Sequence, residues 1–238
     1  MERLSNDGKY LEVFENEDGV KAFFSTKAGA DTGWPYNNRE VINENGLGDA
    51  IHVGHFQTHS DNIMIIDAKM KAGGEDIRFR ESDGAITDQS GVLLTSMHAD
   101  CIPLFFFDPV RRAIGMVHSG WKGTVKEIGR KTSLLMQETY GCKPEDILVH
   151  IGPGISLCCF EIDEDVFNMF KNPKFDKKGE KYYVDLKAYN RRMLEETGIL
   201  PEHITVSEHC TCCEPELFAS YRYDGSKLRM GGGICLVL

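Results

Sequence analysis

Nowhere in the sequence do about twenty apolar residues run together, the length a helix needs to cross a bilayer, so a helical membrane-spanning class is excluded. Basic residues are in short supply, with 27 Lys and Arg against 37 Asp and Glu and a formal net charge of −10. Nucleic acids and anionic membrane surfaces demand a basic face that displaces counterions, so neither is an expected partner. A small anionic substrate needs only a local basic pocket and stays open. The stretch from Met1 to Asn16 is charged throughout and has no apolar run of the export-signal kind, which predicts a cytoplasmic protein. Internal repeats and Pro- or Ser-rich linkers are missing as well. With 41% hydrophobic residues the chain can bury one good core, and a single domain over 1–238 is expected. Cysteine is not lacking: there are eight, at 101, 142, 158, 159, 210, 212, 213 and 235. Without an export signal they read as reduced thiols and metal ligands, not as a disulfide framework.

The most informative stretch is His98-Ala99-Asp100-Cys101, the apolar run Ile102 to Phe107, the Asp108-Pro109 break, a second run Ala113 to Val117, and then His118-Ser119-Gly120-Trp121-Lys122-Gly123. This predicts two strands joined by a turn, with chemistry at both open ends. A tight turn centred on Pro109 and Val110 would place Cys101 opposite His118. Facing strand residues have Cβ atoms about 4.5–5.5 Å apart, close enough for a thiolate and an imidazole to share a zinc ion or to act as a nucleophile–base pair.

Elsewhere, Tyr10 to Phe14 and Val20 to Ser25 predict an opening hairpin. Residues 29–48 read as a long loop with a helical turn around Arg39 to Asn45, and 52–59 and 63–66 as strands. Asp83 to Thr87 and Val92 to Ser96 have the dense apolar content of strands covered on both faces. A helix is predicted over Thr124 to Tyr140, with Val125, Ile128, Thr132 and Leu135 on one face and Gly141 as the stop. Its N-terminus, following Gly-Trp-Lys-Gly, is a candidate phosphate cradle with Lys122 adding charge. Cys158-Cys159 is expected on a strand, where adjacent side chains point to opposite faces and cannot easily serve one site. The His209-Cys210-Thr211-Cys212-Cys213 run lacks the second spaced pair of a zinc finger, so its cysteines are expected to be structural.

Taken together, Phe24-Ser25-Thr26-Lys27, Gln57-Thr58-His59, Asp83-Gly84-Ala85, Ala99-Asp100-Cys101-Ile102-Pro103, His118-Ser119-Gly120-Trp121-Lys122-Gly123, Gly152-Pro153-Gly154-Ile155, Cys158-Cys159-Phe160-Glu161 and Ser220-Tyr221-Arg222 resemble the polyphenol oxidase, or laccase-domain, family. That family is now regarded as purine nucleoside phosphorylases with adenosine deaminase activity. The resemblance runs from about Phe23 to Leu238. It implies an α+β fold with mixed β-sheets flanked by helices, similar to the catalytic domain of cytotoxic necrotising factor. It also implies a zinc ion, with copper as the alternative, held by His59, Cys101 and His118, and a purine nucleoside and phosphate as substrates. This sequence departs from the family pattern at Lys27, where arginine is usual, at His98, where threonine is usual, and at Ser60, where glycine is usual.

Three protein ligands leave a fourth zinc position open, which marks a catalytic site, and water bound there is acidified toward neutral pH. On this reading Asp100 or Asp83 handles protons, and Lys27, Gln57, Lys122 and Arg222 are the candidate substrate and phosphate contacts. Two other readings compete. Cys101 and His118 can serve as the dyad of a cysteine hydrolase. Alternatively, His98 or His55 can close a four-ligand structural zinc site in an interaction protein. A multicopper oxidase is least expected, because eight histidines, few in paired motifs, are too few for several copper centres.

Overall fold

A computed structural model describes residues 2–30 and 39–237. Residues 31–38 of the 29–48 loop therefore lie outside the described residues, and its expected helical turn is present at Arg39–Glu44. The elements in chain order are β1 (Glu2–Leu4), β2 (Tyr10–Val13), β3 (Val20–Ser25), α1 (Arg39–Glu44), β4 (Ile51–Phe56), β5 (Ile63–Ile66), α2 (Ala68–Ala72), β6 (Ile77–Arg80), β7 (Gly84–Thr87) and β8 (Val92–His98). Next come β9 (Ile102–Asp108), β10 (Ala113–Ser119), α3 (Trp121–Val125), α4 (Ile128–Tyr140), β11 (Leu148–Ile151), β12 (Glu161–Ile162), α5 (Glu164–Phe167) and β13 (Phe175–Lys178). The last are β14 (Lys181–Val184), α6 (Leu186–Glu195), β15 (Ile204–Val206), α7 (Tyr221–Asp224) and β16 (Met230–Leu236).

Among the described residues the strands form three sheets, ordered β1-β2-β3-β16-β8-β4-β6, β15-β11-β9-β10-β7-β5 and β12-β14-β13. Both large sheets are mixed: β4 runs parallel to β6 and β8, and β5–β7 and β11–β15 are parallel pairs in an otherwise antiparallel second sheet. The fold is thus α+β. Strand β9 explains the layering through its period of two. Phe105 and Phe107 join Phe24, Leu94 and Ile234 in the core between the two large sheets, while Leu104 and Phe106 turn to the opposite face, against Ile128, Met136 and Leu194 of α4 and α6. Every residue of β9 and β10 is buried, so the hairpin whose ends carry the chemistry is anchored on both sides.

Two expectations about this region need correcting. The β9–β10 ladder pairs Asp108 with Ala113 and Pro103 with His118, so Cys101 lies beyond the ladder and not opposite His118. Asp108 Oδ1 accepts from the N–H groups of Val110 and Arg111, both at 2.8 Å, and Arg112 takes a left-handed φ of 51°, so the loop uses four residues instead of a two-residue turn. The predicted helix over Thr124 to Tyr140 is in fact two helices, α3 and α4, broken at Glu127, whose φ of 61° no continuous helix accepts. Of the expected apolar face, Ile128 and Thr132 are buried and Val125 and Leu135 pack against the same core, but the face is shared by two helices. No helix among the described residues is long and apolar enough to cross a membrane.

Candidate functional site

His118 is the next-to-last residue of β10 and is held by Asp83, which directly precedes β7 of the same sheet. The carboxylate of Asp83, fully buried, accepts His118 Nδ1 at 2.8 Å and leaves Nε2 as the imidazole's other nitrogen. The same two oxygens accept the backbone N–H groups of Thr58 at 3.2 Å, His59 at 3.1 Å and Ser60 at 2.6 Å, and the Ser60 hydroxyl at 2.6 Å. Asp83 thus fixes both histidines, one by its ring and one by its backbone. Ser60 contributes two of those bonds, and the one from its hydroxyl is a bond that glycine at this position would lack.

Cys101 is placed by a strained neighbour. Asp100 has a φ of 81°, a conformation uncommon outside glycine, and is over-determined by Thr211 Oγ1 donating to Oδ1 at 2.7 Å, Arg222 N–H donating to Oδ2 at 2.7 Å and Ile155 N–H donating to its carbonyl at 2.8 Å. This turn swings the Cys101 sulfur to 3.8 Å from His59 Nε2. His59, itself at a φ of 58°, completes the group: one donor atom from each of His59, Cys101 and His118 lies within 4.8 Å of the others, a set that can hold a metal ion. Gly120 makes room for it, since a Cβ there would stand 2.7 Å from His59 Cδ2 and 3.0 Å from Cys101 Sγ. Two imidazoles and a thiolate are donors suited to zinc or copper, so the residues present fit such an ion.

The electrostatics agree with a charged cluster. Burial alone would raise the Cys101 thiol, but the charge and hydrogen bond of His118 and the hydrogen bond of His59 outweigh it and bring the thiol down to about 6. Burial opposes protonation of His118, yet the Cys101 thiolate and the Asp83 hydrogen bond lift it to about 9. Against its own burial, Asp83 is held at about 2 by His118 and Ser60. His98 is not part of the ligand set. Its Nε2 meets Ser96 Oγ at 2.6 Å and its Nδ1 the Cys101 carbonyl at 3.0 Å, so both nitrogens are spent. His55, through Nδ1, meets Ser82 Oγ at 2.7 Å and also stands outside the group. The four-ligand closed site is therefore not formed.

The three residues open onto a cavity of about 740 Å³ whose walls include Phe56, Trp121, Phe160 and Tyr221, with Asp100, Gln57, His55, Arg222 and Arg229 among the polar groups. That volume lies in the range of small-molecule sites. Of the residues predicted from sequence, the cavity gathers His59, Cys101, His118, Asp100, Gln57 and Arg222. Gln57 is tied at both ends of its amide, donating to the Met97 carbonyl and accepting its N–H, each at 2.8 Å. Asp83 lies beneath the cavity and does not line it, because its oxygens are committed to the loop and to His118. Lys27 is drawn away, donating to the Pro215 carbonyl at 2.6 Å, and Lys122 is exposed with its ammonium 5.5 Å from the Trp121 ring centroid. Neither lysine is on the cavity wall, so the phosphate cradle at the start of the helix after Gly-Trp-Lys-Gly is not formed by Lys122. Arg229 was missed because its surroundings, Ser226 to Met230, carry no motif. His55, whose Nε2 is buried with no hydrogen-bond partner among the described residues, was expected only as an alternative fourth zinc ligand and not as a cavity-wall residue.

The family model described as multi-copper polyphenol oxidoreductase laccase matches residues 30–237. A curated relative named purine nucleoside phosphorylase from Clostridium acetobutylicum is 32% identical over 228 residues, 91% of this chain and 92% of its own length. Purine nucleoside phosphorylase YlmD of Bacillus subtilis is 36% identical over 181 residues, covering 72% of this chain, and the match spans 65% of that relative's length. The crystal structure of YlmD from Geobacillus stearothermophilus superposes with a TM-score of 0.88 at 30% identity, over 97% of each chain.

Proposed function

Because the chain belongs to the multi-copper polyphenol oxidoreductase laccase family, we propose that it is a cytoplasmic purine nucleoside phosphorylase, acting on adenosine, inosine, guanosine and methylthioadenosine. The observation that carries this reading is the meeting, in one cavity, of a His-Cys-His metal-competent group, aromatic walls and two arginines. Relatives bearing the phosphorylase name support it. In phosphorolysis a phosphate oxygen bonds to C1′ of the ribose while the bond from C1′ to the purine nitrogen breaks and its electron pair leaves with the base. The products are the free base and ribose 1-phosphate.

The residues divide this work by position. Phe56, Trp121, Phe160 and Tyr221 offer faces and edges for the purine and ribose. Arg222 and Arg229 place positive charge where the phosphate must sit, a role that Lys27 and Lys122 cannot fill from where they stand. His55 Nε2 is a polar contact for the base or sugar. Asp100 holds its carboxylate at the cavity wall beside Cys101, and Asp83 is a positioning residue that orients His118 and the 58–60 backbone. Zinc held by His59, Cys101 and His118 would supply Lewis-acid polarisation in the cavity. Adenosine deamination at the same cavity is a second activity of this reading.

The Cys101–His118 pair, with the thiol lowered and the imidazole raised, also has the charge state of a nucleophile dyad. His59 argues against that role, since a dyad has no use for a third donor 3.8 Å from the sulfur. The deciding experiment incubates purified protein with inosine in phosphate and in phosphate-free buffer, and measures hypoxanthine and ribose 1-phosphate. Phosphate-dependent release is expected. Equal release without phosphate makes the protein a hydrolase, and no release from any purine nucleoside ends the proposal. Ammonia release from adenosine tests the deaminase activity separately.

A further inference from the structure

Outside the cavity site, four more cysteines converge. The chain was expected to run as a strand through Cys158 and Cys159, with their side chains on opposite faces. It instead makes a turn, with the N–H groups of Cys159 and Phe160 both donating to the Ser156 carbonyl at 3.0 Å. A second turn spans Cys210 to Cys213, whose N–H donates to the Cys210 carbonyl at 3.0 Å. The two turns meet at a bridge between Gly154 and Cys210. Between them the sulfurs approach one another: Cys158 is 3.5 Å from Cys213 and 3.6 Å from Cys210, and Cys159 is 3.3 Å from Cys213. All four Sγ atoms lie within 4.8 Å of each other, and all four thiols are free.

We propose that Cys158, Cys159, Cys210 and Cys213 hold a second metal ion, a zinc in a closed tetrathiolate site of structural role. Zinc–sulfur bonds of about 2.3 Å in a tetrahedron set sulfurs roughly 3.8 Å apart, close to the contacts already present. Cys158 and Cys213 each touch two other sulfurs, the sharing one central ion requires and two separate disulfides do not. The Ser156 N–H points at Cys210 Sγ at 3.4 Å, the kind of donor that steadies a bound thiolate. Two cations, Lys187 of α6 and Arg222 of α7, are bonded to the backbone that carries the group. Lys187, buried, donates to the carbonyls of Ser207 at 3.0 Å and His209 at 2.6 Å just before Cys210. Arg222 donates to the carbonyls of Cys159 and Glu161, both at 3.0 Å. Four protein ligands leave no open position, so the ion does no chemistry. It clamps the 156–161 turn to the 210–214 turn, and those turns deliver Thr211 to Asp100 and seat Arg222 at the cavity wall.

The test counts zinc by elemental analysis on full-length protein purified with zinc under reducing conditions. Two ions per chain are expected in the wild type, and one in Cys213→Ala. Cys213→His should restore the second ion, because three thiolates and an imidazole are an accepted zinc set. Cys212→Ser, which changes a thiol outside the group, should keep both. His59→Ala should retain the tetrathiolate ion, which separates this proposal from the fate of the cavity site and of the activity assigned to it. A measurement on the wild type alone covers variants that fail to fold. Cys158 and Cys213 are exposed, so maleimide should label them at once if they are free, and only after chelation if they bind zinc. The proposal is overturned by an unchanged zinc count in Cys213→Ala, by immediate labelling in zinc-loaded protein, or by disulfides joining these cysteines in the protein as purified.

Discussion

Replacing Gly120 by alanine tests whether His59, Cys101 and His118 act as one ligand set. The backbone at Gly120 has φ −66° and ψ 170°, extended geometry that alanine accepts, so no backbone strain is introduced. As the residue preceding α3, glycine-to-alanine costs about 1 kcal/mol or less in capping. The added methyl carbon, however, stands 2.7 Å from His59 Cδ2 and 3.0 Å from Cys101 Sγ, against carbon contacts of about 3.5–4.0 Å at rest. Both groups must retreat by somewhat under ~1 Å, and both are donors of the same site. Displacements of that order cost about 100-fold in rate, and disturbed ligand support costs about 10–100-fold in metal affinity. Gly120→Ala should therefore melt within a few degrees of wild type when both are metal-free, bind zinc 10–100-fold more weakly in a competitive chelator titration, and lose about 100-fold in kcat/KM for inosine. Gly123→Ala is the internal control. Its Cβ would meet nothing nearer than 3.4 Å, an ordinary contact, and it lies within α3, where alanine is the better helix former. If Gly120→Ala binds zinc and turns over substrate as Gly123→Ala does, the crowding inferred at the site is wrong and His59 and Cys101 are not fixed as a pair.

Asp83→Asn keeps the size of the side chain but turns one acceptor oxygen into a donor facing N–H groups, so zinc affinity should fall about 10–100-fold and the variant should melt lower; unchanged zinc binding would falsify its role as the support of His118 and His59. Alkylation of Cys101 by iodoacetamide should be slow in zinc-loaded protein and fast at pH 7 once a chelator exposes the lowered thiol, with peptide mapping as the readout; a metal-free protein that is fully active, and inactivated by modification at Cys101 alone, would instead establish the nucleophile. Glu2 is buried against its own charge but lowered by hydrogen bonds to His150 and Ser207 and by the nearby His209 charge, with His150 Nε2 3.0 Å away. A lowered carboxylate stabilises the fold above its unfolded value of about 4.3 and loses that contribution as pH falls through the folded value. Glu2→Gln should thus cost about 1–3 kcal/mol at pH 7, and melting scans at successively lower pH should show the difference from wild type shrinking as Glu2 becomes protonated; a difference that stays constant down to acid unfolding would refute the pairing.

What sequence revealed and what it hid follows a physical line. Apolar period and punctuation located the central hairpin, the strands β7 and β8 buried on their faces, and the helical face that packs beneath β10, because burial leaves its record in residue type. Motif resemblance picked out the ligand trio that the fold brings within 4.8 Å. Three of the errors share one cause, which is non-glycine residues in left-handed conformations. Arg112 lengthens the hairpin loop, Glu127 splits the helix, and Asp100 turns Cys101 out of the ladder. Nothing in the identity of an arginine or a glutamate announces a positive φ, and although aspartate tolerates one more readily than most residues, it is tertiary contacts that impose it. Of the cations, Arg222 reaches the cavity wall while Lys27 and Lys122 do not, because where a long flexible side chain finds its partner depends on carbonyls and rings that no local pattern contains.

The two misplacements at the site correct each other, and this explains why the Cys101–His118 pairing survived a wrong register. In a regular ladder Cys101 would continue past Ile102 on the level of Gly120, with alternation deciding its face. The left-handed Asp100 breaks that alternation and frees the sulfur from the strand, while the absence of a side chain at Gly120 gives the sulfur the space it then occupies. Strain of about 1–3 kcal/mol at such a residue persists only where neighbours enforce it. Here the enforcement comes from Thr211, within one of the two cysteine-bearing turns, from Ile155, directly before the other, and from Arg222 of α7, whose guanidinium donates to the Cys159 carbonyl. The geometry of Cys101 is therefore set less by its own strand than by two loops remote in sequence. A site so built couples the cavity to the clamp that holds those loops: loosening the 156–161 and 210–214 turns should relax Asp100 first, and through it the one cysteine on which both enzymatic readings depend.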